Sequence, residues 1–179
     1  MRKLTNPNAI PVAVRLYEYI CSLQGKKCLT GQMESGWCGT FESEINYLLA
    51  RTGTMPAIRG LDFINNDFQG CVQRARDWHA RGGIVTICWH TGIDFSSSYK
   101  QSQEDDLNWE AAFTPGTIEN RDLIAGMDRA VPYLQQLQRM NIPVLWRPFH
   151  EFDGKWFWWG RGGEEGFIKL WRLMYDRYT

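Results

Sequence analysis

The stretch "IVTICWHTG", residues 84–92, decides how the chain is organised. Its first residues are an unbroken apolar, largely β-branched run, the composition of a strand buried on both faces of a parallel sheet. The preceding "DFQGCVQRARDWHARGG" (67–83) reads as a helix stopped by Gly82 and Gly83, so strand follows helix. Further upstream the alternation continues. "NAIPVAVRLYEYICSLQG" (8–25) is a helix ending on Gly25, "KKCLTGQ" (26–32) a short strand, "TFESEINYLLARTG" (40–53) a helix closing at Gly53, and "PAIRGLDF" (56–63) a second strand. Downstream, a polar stretch at 93–117 is too long for a plain connection and is expected to be a functional loop. "IENRDLIAGMDRAVPYLQQLQRMN" (118–141) reads as one helix kinked at Pro132, "IPVLWRPFHE" (142–151) as a fourth strand, and "GEEGFIKLWRLMYDRYT" (163–179) as a final helix.

Alternating strands and helices imply a parallel α/β sheet, and in such folds the C-terminal strand ends carry the site. Polar and aromatic residues do gather there: Gln32, Asp62, Trp89 with His90, and His150 with Glu151. No glycine-rich loop follows the first strand, which favours a (β/α)8 barrel over a doubly wound sheet. A full barrel takes about 250 residues. This chain of 179 residues accommodates about the first four strand–helix units.

The bulk composition excludes several classes. Twenty basic and twenty acidic residues balance to a net charge of zero, which argues against a nucleic-acid partner. No apolar run approaches the roughly 20 residues of a membrane span. The start, "MRKLTNPNAIPV", has no apolar signal-peptide core, so the chain taken literally is cytoplasmic. Five cysteines (Cys21, Cys28, Cys38, Cys71 and Cys88) lack CxxC spacing and read as free, mostly buried thiols. Nine tryptophans are more than a core usually needs, because each buried indole N–H requires a partner, so some are expected to face a ligand.

The densest aromatic stretch is "RPFHEFDGKWFWWG", residues 147–160. It sets one carboxylate, Glu151, beside flat apolar surfaces of the kind that pack against the C–H faces of pyranose rings. A glycosidase needs such a platform and a carboxyl group able to donate a proton. Aromatic neighbours such as Phe149 and Trp146, by excluding water, would favour the protonated form of a carboxyl beside them. The blander reading of Glu151 is a salt bridge, for example to Arg147. For Trp156, Trp158 and Trp159 it is core packing. Since alternate residues of an extended chain face opposite ways, one or two of the three face ligand, Trp156 first. His90 and His150, from neighbouring strands, are candidate site residues. A metal held by His90, His150 and Glu151 is conceivable, but without HxH or HExxH spacing no metal and no cofactor is expected. His79 reads as a solvent-facing helix residue.

With these residues in view, "PVLWRPFHEFDGKWFWWG" (143–160) closely resembles the signature of glycoside hydrolase family 26, whose commonest members are endo-β-1,4-mannanases. "LTGQ" (29–32), "AIRGLDF" (57–63), "CWHTG" (88–92) and "LWRLMYDRYT" (170–179) support the resemblance in the same order. It implies a (β/α)8 barrel, a retaining double-displacement mechanism and a mannan-type polysaccharide substrate. It assigns Glu151 as the acid/base, and His90, Arg147, His150 and Trp156 as substrate-binding residues, with Trp109 as a further aromatic in the long loop. Asp153 sits where many relatives carry Asn or a small residue. The family's nucleophile, a strand-seven Glu, is expected beyond Thr179. The chain then reads as the N-terminal part of one catalytic barrel, inactive alone. Family members are often secreted. Two rivals share these residues: a same-family hydrolase of mixed-linkage β-glucan or β-1,3-xylan, and a non-catalytic carbohydrate-binding protein.

Overall fold

The computed structural model describes residues 4–95 and 98–179, the side chain of Cys38 aside. Met1–Lys3 and the Cys38 thiol, both read above from sequence, lie outside the described parts. The elements run α1 (Pro11–Leu23), β1 (Gly31–Met33), a 3₁₀ turn, α2 (Ser43–Thr52), β2 (Ile58–Asp62), a second 3₁₀ turn, α3 (Phe68–Ala80) and β3 (Ile84–Cys88). Then come α4 (Tyr99–Glu104), α5 (Trp109–Ala112), α6 (Ile118–Asp128), α7 (Val131–Arg139), β4 (Val144–Trp146), a third 3₁₀ turn (Trp158–Gly160) and α8 (Gly163–Tyr178).

The four strands form one sheet in the order β1-β2-β3-β4. β1 pairs parallel with β2, Gln32 opposite Arg59, and β3 pairs parallel with β4, Thr86 opposite Leu145. Sequential order without a reversal is the winding of a (β/α)8 barrel rather than of a doubly wound sheet, whose strand order turns back at a switch point. The chain has the barrel's first four strand–helix units.

Three local expectations are corrected. The first strand starts at Gly31, later than Lys26–Gln32 suggested, since Lys26 and Lys27 belong to the turn after α1. The long polar stretch is not a bare loop. Ser98 and Gln101 cap α4 reciprocally, and the Asn108 side chain accepts from the Ala111 N–H to start α5. The expected kinked helix is two helices, broken at Arg129–Ala130. Pro132 lacks the N–H an interior position requires and so sits in the first turn of α7, where none is needed.

The described chain forms two compact units. One comprises residues 4–62, 69–87 and 136–146 and holds nearly all of the sheet. Its polar centre is buried: Glu34, just after β1, accepts from Arg59 Nη2 at 3.0 Å and from Arg74 Nη2 at 2.8 Å. Arg59 also meets Glu42 at 2.6 Å, and Arg74 lies over the Phe41 ring at 3.9 Å. Burial pushes the Glu34 carboxyl above its ordinary value, while the two guanidiniums pull it back. A cavity of about 350 Å³ in this unit is lined by Arg15, Tyr19, His79 and residues at the strand starts. His79, expected in solvent, is half-buried in its wall.

The other unit comprises residues 63–68, 88–135 and 147–179, the segments that continue from the ends of β2, β3 and β4. Its core is aromatic. Phe68 stacks on Tyr133 with centroids 4.6 Å apart, Trp89 meets Phe63 and Phe95 edge-on, and Gly126 leaves room for the Phe95 ring, which would lie 2.2 Å from an added Cβ. No helix of the described residues is long and apolar enough to cross a membrane.

Candidate active site

The candidate site of the second unit starts where two strands end. β4 stops at Trp146, five residues before the expected strand end at Glu151, and the chain then turns sharply. Phe149 and Glu151 take left-handed backbone angles, φ +50° and +56°. Side chains of this size reach that region at a cost of order 1–3 kcal/mol each, and only where the surroundings impose it. The surroundings here are two buried tryptophans. Trp159 Nε1 donates to the His150 carbonyl at 2.8 Å, and Trp158 Nε1 donates to the Thr91 carbonyl at 2.8 Å. Phe149 packs against both rings. The 3₁₀ turn thus grips one residue from the segment after β3 and one from the segment after β4.

That grip brings His90 and His150 together. Their Nε2 atoms are 3.1 Å apart, a hydrogen bond in which one ring donates and the other accepts. Rings crowd the pair: Phe157 lies 5.2 Å and Tyr99 5.1 Å from His90, and Phe157 and Trp159 lie within 5.8 Å of His150. His150 is buried and His90 half-buried. Next to His150, Glu151 points to solvent and accepts from Trp156 Nε1 at 3.0 Å. Trp156 is 48 % exposed, whereas Trp158 and Trp159 are fully buried, so of the three only Trp156 presents a ring face outward. Gly154 makes room for it, since an added Cβ would lie 2.0 Å from the indole.

The other predicted residues are placed differently. Arg147 is exposed, and among the described residues no ion pair joins it to Glu151. Glu151 itself is open to water rather than shut in by Phe149, which is buried. Trp109 sits on α5, stacked on Phe113, with its ring filling the space above Gly162 and Gly166 at the start of α8. The structure does not bring it into the His90–His150–Glu151–Trp156 group. Cys88 does belong near this group: its Sγ and one ring nitrogen each of His90 and His150 lie within 4.8 Å of one another. The sequence carries that signal as Cys-x-His, since residues two apart project to one side of an extended chain.

Sequential parallel strands whose ends lead into an aromatic-lined carboxylate site define a protein of the (β/α)-barrel class. Within that class the chain belongs to glycosyl hydrolase family 26, whose sequence profile matches residues 5–179. It is 35 % identical over 191 residues to mannan endo-1,4-beta-mannosidase A of Piromyces sp., an alignment covering 97 % of this chain and 31 % of that protein. It is 32 % identical over 194 residues to the mannan endo-1,4-beta-mannosidase of Thermothelomyces thermophilus, covering 98 % and 39 %. The chain therefore spans about a third of the length of these curated relatives. Among solved structures it resembles a ruminal family 26 endo-beta-1,4-mannanase with a TM-score of 0.87 at 32 % identity, covering 99 % of this chain and 43 % of that one. It also resembles a beta-mannanase from a symbiotic protist of the termite Reticulitermes speratus, complexed with a gluco-manno-oligosaccharide, with a TM-score of 0.84 at 30 % identity, covering 96 % and 58 %.

Proposed function

We propose that residues 1–179 are the N-terminal part of a single catalytic barrel that hydrolyses β-1,4-mannosidic linkages in mannan-type polysaccharides by retaining double displacement. The observation that carries this reading is the exposed Glu151 carboxylate, hydrogen-bonded to an exposed indole and adjoining a buried imidazole pair. Glu151 protonates the glycosidic oxygen as the C–O bond breaks, then takes a proton from the water that releases the glycosyl intermediate. A retaining site needs a second carboxyl about 5–5.5 Å from the first. The nucleophile comes from chain outside these residues. Trp156 offers its ring face to a sugar, His150 and His90 supply hydrogen bonds to hydroxyls from a low-dielectric wall, and Arg147 reaches the same substrate. Trp109 acts at one remove, by packing the start of α8. The similarity to mannan endo-1,4-beta-mannosidases, and to a beta-mannanase complexed with a gluco-manno-oligosaccharide, supports the substrate class.

The test is Glu151→Gln in the full-length protein. Loss of general acid–base catalysis lowers turnover on mannan by about 10²- to 10⁴-fold. Turnover near that of the unsubstituted protein defeats the assignment. A parallel panel of mannan, glucomannan, lichenan and β-1,3-xylan checks the substrate: fastest cleavage of lichenan or xylan replaces the mannan reading. Sugar binding without any reducing-end release from the full-length protein replaces the enzyme reading with that of a carbohydrate-binding protein.

A further inference from the structure

We infer that Cys88, His90 and His150 form a three-ligand site for a thiophilic transition-metal ion of the zinc class, with one coordination position open. Three observations converge on it. The first is geometric. One potential donor atom from each residue lies within 4.8 Å of the other two, and the His90 and His150 Nε2 atoms are 3.1 Å apart. Two nitrogens each about 2.0–2.1 Å from a tetrahedral ion are about 3.3 Å apart, so the imidazole pair already has the required spacing. The ring centroids stand 4.5 Å apart with planes at 88°. The nitrogens are therefore the leading edges of two rings that converge.

The second is the chemistry of the set. One thiolate and two imidazoles select zinc or copper over magnesium or calcium, which require oxygen ligands. Three protein ligands leave a position for water or another small ligand. The third is the environment. Cys88 is 2 % and His150 6 % exposed, and Tyr99, Phe157 and Trp159 surround the imidazoles. A dry aromatic shell strengthens the attraction between a cation and a thiolate. The Trp159 hydrogen bond to the His150 carbonyl holds one ligand's backbone in place before any ion arrives. Cys88 ends β3 and His90 follows two residues on, so both are presented by one extended segment.

Binding replaces the His–His hydrogen bond with two metal–nitrogen bonds. The thiol proton leaves to solvent as the metal–sulfur bond forms, and the hydrogen shared between the rings moves to Nδ1 of the donor ring. No oxidation or reduction is involved. Because His90 and His150 are also the residues assigned above to sugar hydroxyls, ion and substrate exclude one another. That corollary rests on the proposed function, whereas the site itself does not.

Cobalt(II) is the spectroscopic probe and zinc(II) the competitor, used on the full-length protein with Cys21 and Cys28 replaced by Ser, since both of those thiols are exposed. The expected result is one equivalent of cobalt giving a thiolate-to-cobalt charge-transfer band and the intense visible bands of tetrahedral geometry, both abolished by one equivalent of zinc. Cys88→Ser removes the charge-transfer band, and His90→Ala lowers zinc affinity by at least tenfold. Absence of a stoichiometric charge-transfer band in the Cys88-containing protein overturns the site without reference to any variant at its ligands. A band that survives Cys88→Ser overturns it as well. Loss of mannan turnover on adding zinc, with no such band, leaves inhibition to another locus and equally defeats this assignment.

Discussion

Two glutamates follow strands in this chain, and they lead opposite lives. Glu34, after β1, has a side chain only 2 % exposed and is held by two arginines. Glu151, after β4, is open to solvent and held by one indole N–H. Both occupy the position where barrel folds place catalytic groups, so position alone does not separate scaffold from site. What separates them is closure. The Glu34 oxygens are taken up by bidentate and end-on guanidinium contacts from Arg74 and Arg59. Glu151 keeps room for another partner. The first unit thus spends its buried charge on locking β1, β2 and α3 together, while the second leaves its carboxylate available and builds its rigidity from neutral aromatic rings.

The contrast can be broken from the scaffold side. Glu34→Ala strands Arg59 and Arg74 without their shared carboxylate, and breaking a buried ion pair this way costs about 3–5 kcal/mol. Urea unfolding should show the midpoint falling accordingly; a loss within about 0.5 kcal/mol would put Glu34 among ordinary surface residues. The same contrast sharpens from the aromatic side with Trp158→Phe, which keeps most of the ring and deletes the N–H that holds the Thr91 carbonyl. A buried acceptor left unsatisfied costs about 1–3 kcal/mol. Hydrogen exchange at residues around Thr91 should speed up with it, and unchanged protection would mean the grip is incidental.

The smallest expected effect concerns protons. Burial raises the Glu34 carboxyl above its ordinary value of 4.5, so the folded state holds this proton more tightly than the unfolded state. Relative to Glu34→Gln, the protein therefore gains stability as pH falls from the raised value towards 4.5, and the gain is lost as pH rises back through that window. Denaturant titrations of both proteins across the window check the sign. A difference that grows with rising pH would mean that the guanidiniums outweigh burial.

Much of this was legible in the residues, for reasons that also explain the gaps. Apolar runs and glycine stops located all four strands and most helices, because burial on both sheet faces and left-handed turn positions such as Gly53 and Gly82 leave strong compositional marks. Chain geometry after a strand leaves weaker ones. Pro148 in "RPFHE" has no N–H for a sheet and argues against a continuing strand, but nothing there specifies the left-handed turn at Phe149 and Glu151, against which Trp158 and Trp159 pack from further along the chain. The tryptophan excess was read as ligand surface, and Trp156 fits that reading, but Trp158 and Trp159 find their N–H partners on backbone carbonyls of the site segments. Trp109, expected in a loop, stands on the short helix α5 with its ring over Gly162 and Gly166, a packing that depends on a helix start more than fifty residues further along the chain. Cys88 was overlooked for want of a familiar spacing. Its partner His150 is 62 positions away, and only folding brings it near.

The two indole hydrogen bonds have one further consequence. Both end on main-chain oxygens, of Thr91 and of His150, and not on side chains. A carbonyl is present whatever residue occupies the position. These two hydrogen bonds therefore do not depend on which side chains stand at 91 and 150, whereas the packing of the His150 ring against His90, Phe157 and Trp159 does. Anchorage of the main chain and choice of side chain are uncoupled, as far as these two bonds go, at residues 91 and 150.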